Sequence, residues 1–291
     1  MATTVAADLA AGSIAMVGEA RYTLEHQAVM TNLVERKTLG PGEKSLYIPK
    51  FGGISASDLT DGVDMSQSET MSITGTTHTT DEAGCKVIIT KKLRQQLKED
   101  AYRAAGKIIG SAMAKKIDKD LLALFSGLNS GVGSTTTTFS LDYLLAAVTQ
   151  CNGQDEPCPM PMACVLHPYT IHEIVDEIVT PAASYPAFPE GYSYDLLKNY
   201  FRGSDKLFNV PIFGNANITR TAGSSPAYSS FGAIFSKMAL IYLVGWEPEN
   251  WVEEDKSLRG WEIGIVADYG AVEEDGTYGR YMSFYSTAPT S

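Results

Sequence analysis

No apolar run in the 291 residues approaches the roughly 20 that a membrane span needs, and the start, MATTVAADLAAGSIAMVGEA, lacks a basic segment followed by a compact apolar one. Neither a membrane anchor nor a secretory leader is therefore expected. Cysteine is scarce, at four residues, which is too few to staple a chain this long and agrees with a reducing compartment. Basic charge is also in deficit, with 23 Lys and Arg against 34 Asp and Glu and a net charge of −11. A surface of that sign repels nucleic acid and excludes a protein that grips DNA across a basic face. The motifs of nucleotide, esterase and zinc-protease chemistry are missing too: there is no P-loop, no G-x-G-x-x-G after a strand, no G-x-S-x-G and no H-E-x-x-H.

What the chain does have is one long helical pattern over residues 91–125. Apolar or small residues recur at Leu93, Leu97, Ala101, Ala105, Ile108, Ala112, Ile117, Leu121 and Phe125, the steps of one helical face. Thr90 is placed to cap its start, and Gly127 with Asn129 to end it in a left-handed turn. At 1.5 Å per residue the rod is about 50 Å long, several times the usual globular helix. It carries nine bases against four acids, so a net +5 sits in an otherwise acidic chain. Gly106 and Gly110 stand in its middle, each costing about 1 kcal/mol relative to Ala. Two uses explain them: a close approach by another element, or a hinge.

Before the rod, residues 1–36 read as an Ala- and Gly-rich arm, weakly helical from Tyr22 to Val34, that packs on something else. SLYIPKF then alternates as a strand, residues 52–65 form a tip rich in Gly, Ser and Asp, and SETMSITGTTHTT reads as the return strand. This hairpin has too few large apolar residues for a core of its own and must lie along another surface. After the rod, GVGSTTTT is a linker, Ser140 caps a helix LDYLLAAVTQ, and the strand MACVL runs into His167-Pro168 at the head of the helix YTIHEIVDEIV. Strands return in KLFNVPIFG, AYSSFGAIF, MALIYLVG, WEIGIVADYG and RYMSFYS. Ten acids against three bases between Ile241 and Ser291 complement the basic rod.

Candidate chemistry is sparse. Cys151, Cys158, Cys164 and His167 lie close in sequence, but their spacing is neither the paired C-x2-C of a structural zinc site nor a catalytic-zinc pattern, so they read as ordinary buried thiols. A Cys164–His167 nucleophile pair would make a thiol hydrolase, yet Cys164 sits inside an apolar strand pattern, where a thiol is inert. Glu253, Glu254, Asp255, Glu273, Glu274 and Asp275 read as solvated turns. Asn217-Ile218-Thr219 matches a glycosylation sequon only formally. No catalytic residue, metal ligand or cofactor is expected.

The order of parts, together with MACVLHPYTIHEIVDEI, FNVPIFGNANI, SSFGAIFSKMALIYLVGWEPENWVEED and ADYGAVEEDGTYG, resembles the major capsid proteins of tailed bacteriophages, the HK97 fold. That resemblance implies an α+β subunit with an N-terminal arm at 1–36, an extended β-hairpin loop at 37–90, a peripheral domain at 91–135 and 238–291 built on the spine helix, and an axial domain at 136–237. It implies self-assembly into pentamers and hexamers of an icosahedral shell around double-stranded DNA, in a virion put together in the bacterial host cytoplasm. Assembly contacts fall on the loop tip at Phe51, Gly52, Gly53, Asp58 and Asp61, and the hinge candidates are Gly106 and Gly110. The partners implied are further copies, a portal, a decoration protein, weakly held DNA and, since some 36 residues precede the loop, a separate scaffolding protein. Some shells of this fold link a loop Lys to a neighbour's Asn. Lys44 and Lys50 stand in the loop, but no Asn and Glu pair is found for them, so no crosslink is expected. An encapsulin-like shell around protein cargo is the alternative.

Overall fold

The computed structural model describes residues 29–62, 64, 68, 70–92, 100–179, 206–222 and 228–289. The arm through residue 28, the start of the rod at 93–99 and the Pro- and Tyr-rich loop at 180–205 therefore lie outside the described residues.

Three sheets and three helices make up the described chain. A four-stranded sheet has the order β1 (Glu35–Thr38), β11 (Leu240–Asp255), β12 (Gly260–Glu273), β4 (Asp81–Thr90). A larger sheet runs β5 (Asn129–Val132), β13 (Gly279–Tyr285), β10 (Tyr228–Ser236), β6 (Met162–Leu166), β8 (Val210–Gly214), β7 (Lys206–Leu207), with β9 (Arg220–Ala222) added to β10. The third sheet is the hairpin of β2 (Ser45–Phe51) and β3 (Ile73–Thr79). Helix α1 is Asp100–Ala123, α2 is Leu141–Asn152 and α3 is Pro168–Val179.

Helix α1 lies on the four-stranded sheet, and their apolar faces form one core: Ala105, Ile109, Met113, Ile117, Leu121 and Phe125 meet Ile89, Ile263 and Ile265. Each such side chain contributes about 1.5–3 kcal/mol by leaving water. The buried face differs from the one the sequence pattern suggests, because Ile108 is 65% exposed and Ala112 is exposed, while Ile109 and Met113 are buried. A chain of small residues and lysines fixes the phase poorly, and a shift of one residue turns a helix by about 100°. The rod's end differs too. The helix tightens into a 3-10 turn at Leu124–Gly127, and Gly127 is not left-handed. A Cβ at that position would meet only the Glu273 carboxylate, the movable end of a side chain.

A second core lies between the larger sheet and helices α2 and α3, with Phe139, Leu144, Cys164, Leu166, Ile174, Ile212, Ile234 and Phe284 inside. Its sheet draws on β13, a strand beyond the residue 237 boundary expected from sequence. Pro168 opens α3, as expected, and His167 caps it, its Nδ1 accepting from Tyr169 N at 3.1 Å. Ser140, by contrast, makes no side-chain cap for α2. The Glu177 carboxylate of α3 accepts from Leu141 N at 2.9 Å in its place, so a neighbouring helix satisfies the exposed donor.

Two further expectations change. Met30 and Val34 are fully buried in the first core, so this end of the arm packs on its own chain. Glu253 and Glu254 are not in a turn but in β11, which continues for 16 residues through register shifts around Trp246 and Glu249. Parallel β1 covers β11 only from Ile241 to Val244, leaving the acidic half as a sheet edge. Carboxylates and Pro248 along an open edge discourage unwanted strand pairing.

Candidate assembly site

The hairpin of β2 and β3 has two unlike faces. Leu46, Ile48 and Lys50 point inward, where Leu46 and Ile48 pack on Ile241, Leu243 and Val272 and the Lys50 ammonium sits 2.9 Å from the Asp275 carboxylate. Lys50 draws the Asp275 carboxyl below its ordinary range, against the opposing effect of burial, which is the larger single influence, and with help from Thr277. Outward, Tyr47, Phe51 and Ile73 stand exposed, Phe51 at 63%. The ladder extends one step further through Gly52 N donating to Ser72 O at 2.8 Å, and there it stops.

Beyond it, every described residue from Gly53 to Gly62 is exposed, including Asp58 and Asp61, with Ile54 at 68% and Leu59 at 66%. Gly53 has open space where a Cβ would stand, and Gly62 takes a positive φ of 79° at the turn after Asp61. The predicted tip residues thus share one projecting element without a core, fixed at its base and apolar on the side that faces away from the body. Met71 continues the apolar surface, at 53% exposure; the sequence pattern did not single out Tyr47, Ile54, Leu59, Met71 or Ile73.

Gly106 and Gly110 fall on the buried face of α1, in line with Met113 and Ile117. Strand β4 passes close by, near enough for the Cys85 thiol to donate to Ile109 O at 3.8 Å. The opposite face of the helix is basic, with Lys107, Lys115, Lys116 and Lys119 exposed. Lys116 folds onto Asp120 at 2.7 Å, and the acidic end of the chain answers the rod where Lys91 meets Glu254 at 3.2 Å.

One residue counted only among the rod's charges proves central to the body. Asp118 is fully buried, its Oδ1 accepting from Met30 N at 3.2 Å and its Oδ2 from Asn215 Nδ2 at 3.0 Å and Asn217 Nδ2 at 3.3 Å. One carboxylate therefore ties the spine helix to the end of the arm and to the loop after β8. Burial pushes its pKa up, and these hydrogen bonds oppose the rise only in part. In the correct helical phase Asp118 falls beside Ile117 and Leu121 on the buried face, which is the signal that would have singled it out.

The Cys164–His167 pair weighed from the sequence is not set up as a nucleophile and base. Cys164 lies in the second core with its thiol pushed well up by burial, so it holds its proton. His167 is committed to capping α3 and to a 3.4 Å contact with Ser286 Oγ, and burial, with Arg220 nearby, lowers its pKa to about 4. Asn217, the formal sequon residue, spends its amide on Asp118. Among the described residues no three His, Cys, Asp or Glu side chains gather as a metal site, and no helix is long and apolar enough to cross a membrane.

No family model matches the chain, and no curated protein matches it in sequence. Solved structures do match along most of its length. A Mycobacterium phage Che8 structure aligns at a TM-score of 0.66 and 15% identity, covering 88% of this chain and 90% of that one. The capsid of Ralstonia phage GP4 aligns at 0.66 and 12%, covering 88% and 87%. The head structure of Helicobacter pylori bacteriophage KHP40 aligns at 0.65 and 10%, covering 87% of each. At such identities the likeness is one of fold. The chain has the α+β, HK97-like fold of tailed-phage capsid subunits.

Proposed function

We propose that this chain is the structural, non-enzymatic subunit of an icosahedral tailed-phage capsid, assembling through pentamers and hexamers into a shell around double-stranded DNA. The observation that carries this is a capsid fold matched over nearly nine-tenths of the chain, from which a two-faced hairpin projects with its outer side uncovered. In a lone subunit that side exposes Tyr47, Phe51, Ile54, Leu59, Met71 and Ile73, a cost that a neighbouring copy would remove. The tip residues Phe51, Gly52, Gly53, Asp58 and Asp61 are read as the assembly contact on that neighbour.

In this reading the peripheral unit is helix α1 with the four-stranded sheet, and the axial unit is α2, α3 and the larger sheet. Phe125, Val165, Ala233 and Phe235 share a core across the two, and Asp118 adds a hydrogen-bonded tie. Scaffolding protein, portal and decoration protein are the further partners of such a shell, and its acidic balance keeps contact with the packaged DNA weak.

Expression of the chain with and without a scaffolding protein, followed by gradient sedimentation and negative-stain microscopy, tests the reading. Closed shells are expected. Nuclease-protected DNA of genome length in particles from infected cells separates a phage capsid from an encapsulin-like container, which would hold protein.

A further inference from the structure

The loop that joins α2 to β6 brings two thiols together. Cys151, in the last turn of α2, and Cys158, seven residues on, are buried, and Cys158 N donates to Cys151 O at 3.1 Å. A backbone hydrogen bond between the two residues brings their main chains together, the first requirement for a disulfide. The two side chains lie in one core, close enough for each to influence the other's ionisation. The Cys158 thiol also donates to Thr277 O at 3.7 Å and its sulfur accepts from Gln154 Nε2 at 3.6 Å, and Gln154 itself donates to Thr277 O at 3.1 Å. Thr277 in turn is held by Asp275, the residue on which the hairpin's Lys50 lands.

We propose that Cys151 and Cys158 form a latent intrachain disulfide site, open in a reducing medium and closed by a peroxide. In the first step the Cys158 thiolate attacks one peroxide oxygen, the O–O bond breaks, and sulfenic acid and hydroxide form; the hydroxide takes up the proton released by Cys158. The Cys151 sulfur then attacks the sulfenic sulfur, the S–S bond forms, and water leaves with the Cys151 proton. Two thiols are oxidised by two electrons and one peroxide becomes two waters.

The arrangement divides the roles. Cys158 is the attacking group because it is the less buried of the two thiols and the Gln154 amide donates to its sulfur, which with Cys151 and Arg280 favours its thiolate, whereas Cys151 is fully buried and keeps its proton until the second step. Cys164, buried in the same core, has no such support and stays reduced. Closing the bridge ties the C-terminal end of α2 to its own following loop; the S–H that Cys158 donates to Thr277 O is lost, while Gln154 still donates to that carbonyl.

The test is peptide mapping by mass spectrometry of the folded protein after dilute hydrogen peroxide, with thiols blocked before digestion. One linked pair, Cys151 to Cys158, is expected, with a loss of about two mass units for its two hydrogens and a fall from four free thiols to two. Dithiothreitol should reverse it. The oxidised form should melt at a higher temperature than the reduced form, and Cys158→Ser should lose both the link and the shift while Cys164→Ser keeps both. The proposal is overturned if the folded wild-type protein keeps four thiols, gains only single-cysteine oxygen adducts, links another pair, or links this pair only in urea.

Discussion

Asp118 places one buried carboxylate where donors from Met30, Asn215 and Asn217 converge, and removing it would strand the buried ones. Asp118→Ala should cost on the order of 3 kcal/mol in denaturant unfolding, and Asp118→Asn, which keeps an acceptor, less. Because burial raises the Asp118 pKa, the folded state holds its proton more tightly than the unfolded chain does. Its linkage contribution is therefore largest below the ordinary carboxylate pKa, declines as pH rises through the folded value, and is flat above it. Urea midpoints measured from about pH 4 to pH 7 should show wild type losing ground to Asp118→Asn as pH rises. A constant or widening gap would refute this.

His167 has the opposite slope. With its pKa lowered from 6.5 to about 4, it is neutral in the fold, so its contribution is present above about pH 6.5 and lost as pH falls towards 4. His167→Asn can still cap α3. It should remove up to about 3 kcal/mol of acid sensitivity between those limits, read as a smaller drop in melting temperature on acidification. Both roles were hidden in the sequence for one reason: hydrogen bonds across 88 or 119 residues leave no mark on local spacing. His167-Pro168 was legible as a helix start because capping is local.

At the scale of elements, helix α1, the hairpin and the strand MACVL were readable from periodicity and turn residues. The phase of α1, the cap of α2 and the strand character of the acidic end of β11 were not, since sheet pairing, tertiary packing and the reach of Glu177 decide them. The glycines of α1 are the point where this matters most. Both are buried, and we take close packing, with a hinge as the alternative, as the reading to test. Gly106→Ala with Gly110→Ala should lower the unfolding midpoint by the equivalent of about 1 to 3 kcal/mol per methyl through overfilling. If the variant melts higher, by the roughly 1 kcal/mol of helix propensity gained at each site, or if its shells expand more readily than wild type, the hinge reading stands instead. Deleting residues 52–65 should leave the subunit's melting temperature within a few degrees of wild type, because every described side chain from Gly53 to Gly62 is exposed, yet weaken assembly. Normal shells from that variant would remove the hairpin tip from the contact.

The molecule as a whole has two main cores, the first of which runs from α1 onto Val165, Ala233 and Phe235 of the larger sheet with Asp118 as an added tie, and a hairpin and an acidic strand edge lie outside them. We predict no covalent links between subunits in a shell built from such parts. Lys50 is engaged with Asp275 of its own chain, so boiled particles should run in detergent gels as single 31.4 kDa chains, and a ladder of multimers would contradict this. The central claim is that neighbouring copies cover what the single chain leaves exposed. An electron cryomicroscopy reconstruction of the assembled protein tests it most directly. The account predicts closed icosahedral shells of fivefold and sixfold rings, with Tyr47, Phe51 and Ile73 of each hairpin buried against an adjacent subunit; protein that stays monomeric, or shells in which the hairpin face remains bare, would contradict it.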